Sequence, residues 1–221
     1  DDYQQLPEVE DLTMHLAEVA RICTVPHSLI RLGDGSIGYI TRRIDRTPNG
    51  EKIDMEDMCQ LTLHPTEYKY RSSYEQIAKV IAAHSSTPKL CLVNFMQLIL
   101  FCYLTGNNDM HLKNFSLYAP KSNYMLTPAY DLLNVAIVNP KDKEELALTL
   151  NGKKSRLQKR DFVVAAQKMG IDEKAIDKMI ISFNRIMPKW NSLINSSFLS
   201  DELKHKYMDL ITQRMKHLMG E

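Results

Sequence analysis

No CxxC pair occurs in the 221-residue sequence, whose four cysteines, Cys23, Cys59, Cys91 and Cys102, stand singly in apolar surroundings. That pattern argues against a cysteine zinc site and a dense disulfide framework, and it fits a reducing, cytoplasmic setting. An excess of charge is missing too. Lysine plus arginine number 28 against 27 aspartates and glutamates, a net charge of +1. Nothing here calls for strong general affinity for nucleic acid or anionic membrane, so a specific partner must be argued from a site. Nor is there an apolar run of the ~20 residues that cross a bilayer. The longest, Leu90 to Leu104, is interrupted by Asn94 and Gln97 and reads as a buried helix. The start is acidic and polar, unlike a secretory leader. Because it begins with Asp1 rather than methionine, the expectation is an internal fragment of a longer protein.

What is present suffices for one sizeable core in one or two domains: 44% of residues are hydrophobic and 25% charged. Leu12, Leu16, Val19 and Ala20 recur at helical spacing and predict an amphipathic helix over residues ~9 to 22. "VPHSLIRL" and "SIGYITRRI" flank "GDG" and predict a hairpin, followed by a loop at "DRTPNGEK". Helices are expected over Met55 to Leu61, Ser73 to His84 with Ser72 or Ser73 as cap, and Leu90 to Leu104. "FSLY" and "YMLTP" predict a second hairpin around "APKSN". Further helices follow over Lys159 to Met169, Glu173 to Ile186 with Pro188 as the stop, and Asp201 to Met219 capped by Ser200.

The polar loop "TGNNDMHLKNFSLY" at 105–118 follows the most apolar stretch of the chain. Gly106 can close that helix at its left-handed terminal position, which leaves irregular backbone mounted on a rigid element. Asn114 is expected to open the hairpin's first strand. With the turn centred near Lys121, Pro128 falls opposite Asn114 and Asp131 lies just beyond the same open end. An amide oxygen beside a carboxylate makes a pair of hard oxygen ligands suited to magnesium shared with substrate phosphates. Asp109 could orient a hydroxyl nucleophile or accept its proton. The plain alternative is a turn whose Asn and Asp side chains bond to the backbone.

"GNNDMHLKNFSLY" followed by "LTPAYDLLN" resembles the catalytic and metal-binding segments of the HipA family of bacterial serine/threonine kinases, the toxin kinases of toxin–antitoxin modules. Gly106, Asp109, His111, Lys113, Asn114, Phe115, Ser116, Thr127, Pro128, Tyr130 and Asp131 carry the likeness, and "LPEVEDLTMHLAEVARICTVP", "YITRRIDR", "MEDMCQL" and "LTLNGKKSRLQKRDF" extend it over most of the chain. The resemblance implies an α+β, mainly α, protein-kinase-like fold: a truncated N-lobe over 1–45 and a helical C-lobe over 46–221. It also implies Mg-ATP as cofactor and a protein hydroxyl as acceptor. Asp109 would then be the catalytic aspartate, and Asn114 and Asp131 would hold magnesium. His111, Leu112 and Lys113 would line the nucleotide side of the loop. Arg42, Arg43 and Ile44 would meet the adenine through their backbone, with Asp45 toward the ribose. The implied partners are a translation protein such as an aminoacyl-tRNA synthetase, and a small DNA-binding antitoxin.

The chain departs from the family pattern in one respect. The glycine-rich phosphate loop and strand lysine that precede "LPEVE" in the family have no counterpart in these residues, and no GxGxxG occurs. Glu10 stands where an acid would pair with that lysine, and equally where a helix N-terminus favours an acid. Two rivals therefore stand beside the kinase: a non-catalytic interaction module that binds an antitoxin, and a small-molecule phosphotransferase. His15, His27, His64, His84, His205 and His217 show no spacing that suggests a metal site and read as surface or satisfied core residues. The basic run "NGKKSRLQKR" at 151–160 reads as a solvated loop, and the twelve methionines as core filler.

Overall fold

The computed structural model of the chain describes residues 5–220. It begins with helix α1, Leu6–Val19, which has a proline in its first turn and buries Val9, Leu12, Leu16 and Ala17. This helix starts and ends about three residues earlier than its apolar spacing predicts. Pro7 is pre-set for a first helical turn. At the other end Arg21 takes a left-handed φ of 61°, and the Ile22 N–H closes back on the Ala17 carbonyl. The reversal feeds an antiparallel hairpin, β1 (His27–Arg31) and β2 (Ile37–Thr41), with His27 opposite Thr41.

The expected helix at Met55 to Leu61 is split. Met55–Asp57 is a strand, β3, and only Met58–Leu61 is helical, as α2. Asp57 caps α2 in a reciprocal box with Gln60, so the helix cannot begin before residue 58. The three residues upstream pair instead with β4 (Ser116–Tyr118), which pairs in turn with β5 (Met125–Leu126). Leu117 faces Leu126 and Tyr118 faces Met125. Extending that register puts Asn114 opposite Ala129, one residue beyond Pro128. Asn114 itself precedes the strand, in a short 3₁₀ turn over Leu112–Asn114.

Helices make up the rest: α3 (Tyr74–His84), α4 (Pro88–Thr105), α5 (Val135–Val138), α6 (Lys159–Lys168), α7 (Glu173–Ser196) and α8 (Asp201–Met219). Ser73 and Ser200 cap α3 and α8 by accepting from the Gln76 and Leu203 N–H groups. Pro188 does not stop α7. It removes one helical hydrogen bond, but Trp190 and Ile194 continue the buried stripe of Ile176, Ile180 and Phe183. Burial of a tryptophan outweighs a cost of ~3 kcal/mol. The Trp190 indole N–H also donates to the Leu16 carbonyl at 2.9 Å, tying α7 to α1.

At the centre lies α4. It has the length and apolarity of a membrane span, yet two thirds of it is buried inside the fold, packed against α3, α8 and β5. It is the core helix, and the polar loop hangs from its C-terminal end.

Candidate active site

A Schellman arrangement sets the loop's origin. Gly106, at φ 76°, gives its N–H to the Tyr103 carbonyl, and the Asn107 N–H reaches the Cys102 carbonyl at 2.9 Å. Arg214 of α8 donates to the same Tyr103 carbonyl and lies 5.0 Å over the Tyr103 ring, so a buried cation meets the negative end of α4. Beyond Gly106, side chains alternate between core and cleft. Met110, Leu112 and Phe115 are buried, with Phe115 packed edge-on against Tyr74 and Phe95. Asp109 and Lys113 are left partly exposed, and His111 sits just below the surface. Backbone bonds from Leu112 N–H to the Lys69 carbonyl and from the Tyr74 hydroxyl to the Met110 carbonyl hold this phase.

Asn114 and Asp131 meet. The amide of Asn114 donates to Asp131 Oδ2 at 2.5 Å, and its Oδ1 accepts from the His111 N–H at 3.2 Å. Asp131 carries a left-handed φ of 60°, a sparsely populated conformation of the kind that gathers at functional sites. Two links pin it there. The Ala129 backbone is laced to Cys23 and Val25 behind α1, and the Tyr130 hydroxyl bridges the Lys113 carbonyl and Ser116 Oγ.

Arg42, Arg43, Ile44, Asp45, Lys113 and Asp131 line one cavity of about 460 Å³. Leu112 is fully buried and His111 and Asn114 nearly so, and these three stand behind the wall. Within the stretch at 42–45 the Arg42 N–H is committed to the Pro26 carbonyl, and the Asp45 carbonyl to the Ile53 N–H. The Asp45 carboxylate is gripped by Arg43 at 2.8 and 2.6 Å and by Arg46 at 2.6 Å. Hydrogen bonding from Arg43 and the two positive charges hold it down to about 2.

Asp109 opens instead onto a second cavity of about 520 Å³ with Tyr70, Asn108 and Asp142. The Tyr70 hydroxyl donates to Asp109 Oδ1. Burial pushes the Tyr70 pKa well up, with the Asp109 bond adding to it, so the phenol keeps its proton. His111 connects the two sites electrostatically. Burial lowers its pKa, the charges of Asp109 and Asp131 oppose that, and Lys69 reinforces it.

Several cavity residues escaped sequence reasoning. Asp57 pairs with Lys113 at 2.8 Å, and only the "ED" before a capping Gln60 hinted at it. Tyr70 had no local signal. Glu10, set aside on sequence grounds, lines the cavity, and burial, then Asp131, then Asp11, raise its pKa to about 7. It is an acid facing another acid. The basic run at 151–160 is not simply solvated: Lys153 pairs with buried Asp161 and Lys154 with Glu144.

Comparison with known proteins gives the family and the fold. The family model described as the HipA-like C-terminal domain matches residues 1–190. The kinase-named protein Y4dM of Sinorhizobium fredii is 32% identical over 155 residues, covering 68% of this chain and 37% of that protein. HipA of Shewanella oneidensis, solved with HipB and operator DNA, superposes with a TM-score of 0.83 at 21% identity over 99% of this chain and 57% of its own. The Helicobacter pylori proinflammatory kinase CtkA gives 0.66 at 15% identity, over 99% of this chain and 86% of that one. The architecture is thus the mainly helical, kinase-like fold, and the chain spans little more than a third of Y4dM.

Proposed function

From the premise that the chain belongs to the HipA-like C-terminal domain family, a family with kinase-named members, we propose that it is the catalytic-loop portion of a serine/threonine protein kinase of the HipA type. The observation that carries this reading is the meeting of Asn114 with Asp131, which lines a cavity whose other wall is Arg42 to Asp45.

Asn114 and Asp131 would hold a magnesium ion once the Asn114 amide nitrogen gives up its bond to Asp131. Asn114 Oδ1 has a second lone pair beyond the one given to His111, and Asp131 is exposed. Magnesium bound there would neutralise phosphate charge. The chain's own groups supply the rest. The adenine falls to the backbone of Arg43 and Ile44, because the Arg42 N–H is already engaged. Asp45 would leave its arginines to reach a ribose. Lys113, on its Asp57 tether, stands at the cavity rim. Neutral His111 supports the loop between the two acids. Glu10 awaits a cation, the role of the strand lysine that precedes this region in the family. Asp109 would orient the acceptor hydroxyl and take its proton as the oxygen attacks the γ-phosphorus and ADP leaves. Asp109 already accepts one hydroxyl bond, from Tyr70.

The acceptor is proposed to be a protein of translation and the setting cytoplasmic, with a small antitoxin as partner, as HipB is for the Shewanella HipA. Asp109→Asn is expected to abolish phosphate transfer from Mg-ATP while leaving the circular dichroism spectrum unchanged. Equal transfer by both forms would overturn the assignment. A second reading, a non-catalytic module that binds an antitoxin, is favoured by the opening of Asp109 and Asp131 onto different cavities. Calorimetry separates the two, since tight magnesium-dependent ATP binding by this chain is expected only of the kinase.

A further inference from the structure

A second polar cluster lies on α1, outside the cavity. Asp11 and His15 are one turn apart on the helix and His27 opens β1, and the reversal at Arg21 brings one ligand atom of each within 4.8 Å of the others. His15 Nε2 lies 3.6 Å from Asp11 Oδ2, and the two imidazole centroids are 4.6 Å apart.

The hydrogen bonds fix both rings. The Val25 carbonyl, 3.1 Å from His27 Nδ1, can only accept, so Nδ1 holds a proton and in the neutral ring the lone pair sits on Nε2. The Glu18 carboxylate, 2.9 Å from His15 Nδ1, orients the second ring in the same sense. His27 Nε2 has no hydrogen-bond partner, although only 1% of that side chain is exposed. Asp11 Oδ1 is likewise buried and unpartnered. Two buried polar atoms of one cluster, His27 Nε2 and Asp11 Oδ1, are thus left without a partner, an arrangement that costs free energy and that a bound cation would relieve.

We propose that Asp11, His15 and His27 form a binding site for a first-row dication of the zinc type, with Glu18 as the carboxylate that orients His15. Two imidazoles and one carboxylate are borderline ligands that suit zinc and disfavour magnesium. Water completes the coordination from the open side, where 43% of the His15 side chain is exposed. The site is chemically distinct from Asn114 and Asp131, and it clamps α1 to the start of β1.

Zinc chloride titrated calorimetrically into chelator-treated 221-residue chain, without nucleotide, tests this directly. One equivalent is expected to bind, unaffected by excess magnesium. His15→Ala, at a half-open position and expected to keep the circular dichroism spectrum of the unmodified chain, is expected to weaken binding on the order of 100-fold or more. Glu18→Gln is expected to weaken it about 10- to 100-fold, as loss of a supporting carboxylate does. No saturable binding, equal affinity in His15→Ala, or displacement by magnesium would each overturn the proposal. Because ATP is absent, the result is independent of the kinase reading.

Discussion

Tyr70 donates to Asp109 and would compete with the acceptor hydroxyl of the proposed reaction. The phenol keeps its proton and donates it to the carboxylate that a substrate hydroxyl would need. Hydrogen bonds to charged groups contribute about 1.5–3 kcal/mol, so the contact competes appreciably with substrate. Tyr70→Phe is therefore expected to raise kcat/KM for a protein acceptor in the proposed reaction by about tenfold or more, chiefly through KM. Steady-state assays at fixed Mg-ATP measure it, and a fall in kcat instead would make Tyr70 a positioning residue. Sequence reading singled out Asp109 as a candidate because its polar neighbours are local. It missed Tyr70, which lies 39 residues away and meets Asp109 only when the segment before α3 packs on the loop.

Helix ends place the site, and two of them yield predictions. At the end of α4, a Cβ on Gly106 would stand 2.4 Å from Asn134 Oδ1 and 2.5 Å from Leu210 Cδ2, on a backbone at φ 76°. Gly106→Ala is expected to cost about 2–5 kcal/mol from left-handed strain plus overpacking, read as a lowered urea midpoint, with weakened Mg-ATP binding alongside. At the start of α6, buried Asp161 accepts from the Gln158 N–H at 3.0 Å, from Lys153 at 2.9 Å and from Asn151 at 3.0 Å. Burial alone would raise its pKa, but these donors outweigh it and leave it below the usual 3.8. The unfolded chain therefore takes up the proton first as pH falls. The stability from Asp161 is complete well above 3.8 and is lost as pH drops through that value and then the lower folded one. Asp161→Asn is expected to cost about 1.5–3 kcal/mol at neutral pH and to flatten the acid limb of a stability–pH curve. The caps Gly106 and Ser200, and Ser73 as one of two neighbouring serines, were legible in advance because capping involves residues within one turn. The split of 55–61 into strand and helix was not, since β3 exists only through pairing with β4 some sixty residues on.

Taken whole, the molecule ties its first helix into the C-terminal body. Trp190 is fully buried, donates to the Leu16 carbonyl, and packs edge-on against Phe101 of α4. Tyr207 of α8 and Thr13 of α1 share a hydroxyl bond at 2.7 Å. Three helices therefore meet on one indole, and α1 is expected to unfold together with them. Trp190→Ala is expected to cost about 3–5 kcal/mol, more than the Pro188 irregularity it offsets. Coincident loss of tryptophan fluorescence and far-UV signal in the unmodified chain would bear out one cooperative unit, whereas two separate transitions would refute it. The exposed hairpin β1–β2, with Ile30 and Ile40 at the surface, is expected to exchange amide protons fastest.

The amino-acid sequence alone determined the mainly helical character, the caps and the ordered set Asp109, Asn114, Asp131, because each depends on periodicity or on neighbours a few residues apart. Tertiary structure decided which of these groups meet. Arg42 to Asp45 reach the cavity of Asp131 and Glu10 only through the backbone lacing of Cys23 and Val25 to Ala129. Asp11, His15 and His27 converge only through the left-handed turn at Arg21. Pro188 passes as helix only because Trp190 needs its place in the core. In each case the deciding energy is burial shared among segments distant in sequence, which no local pattern encodes.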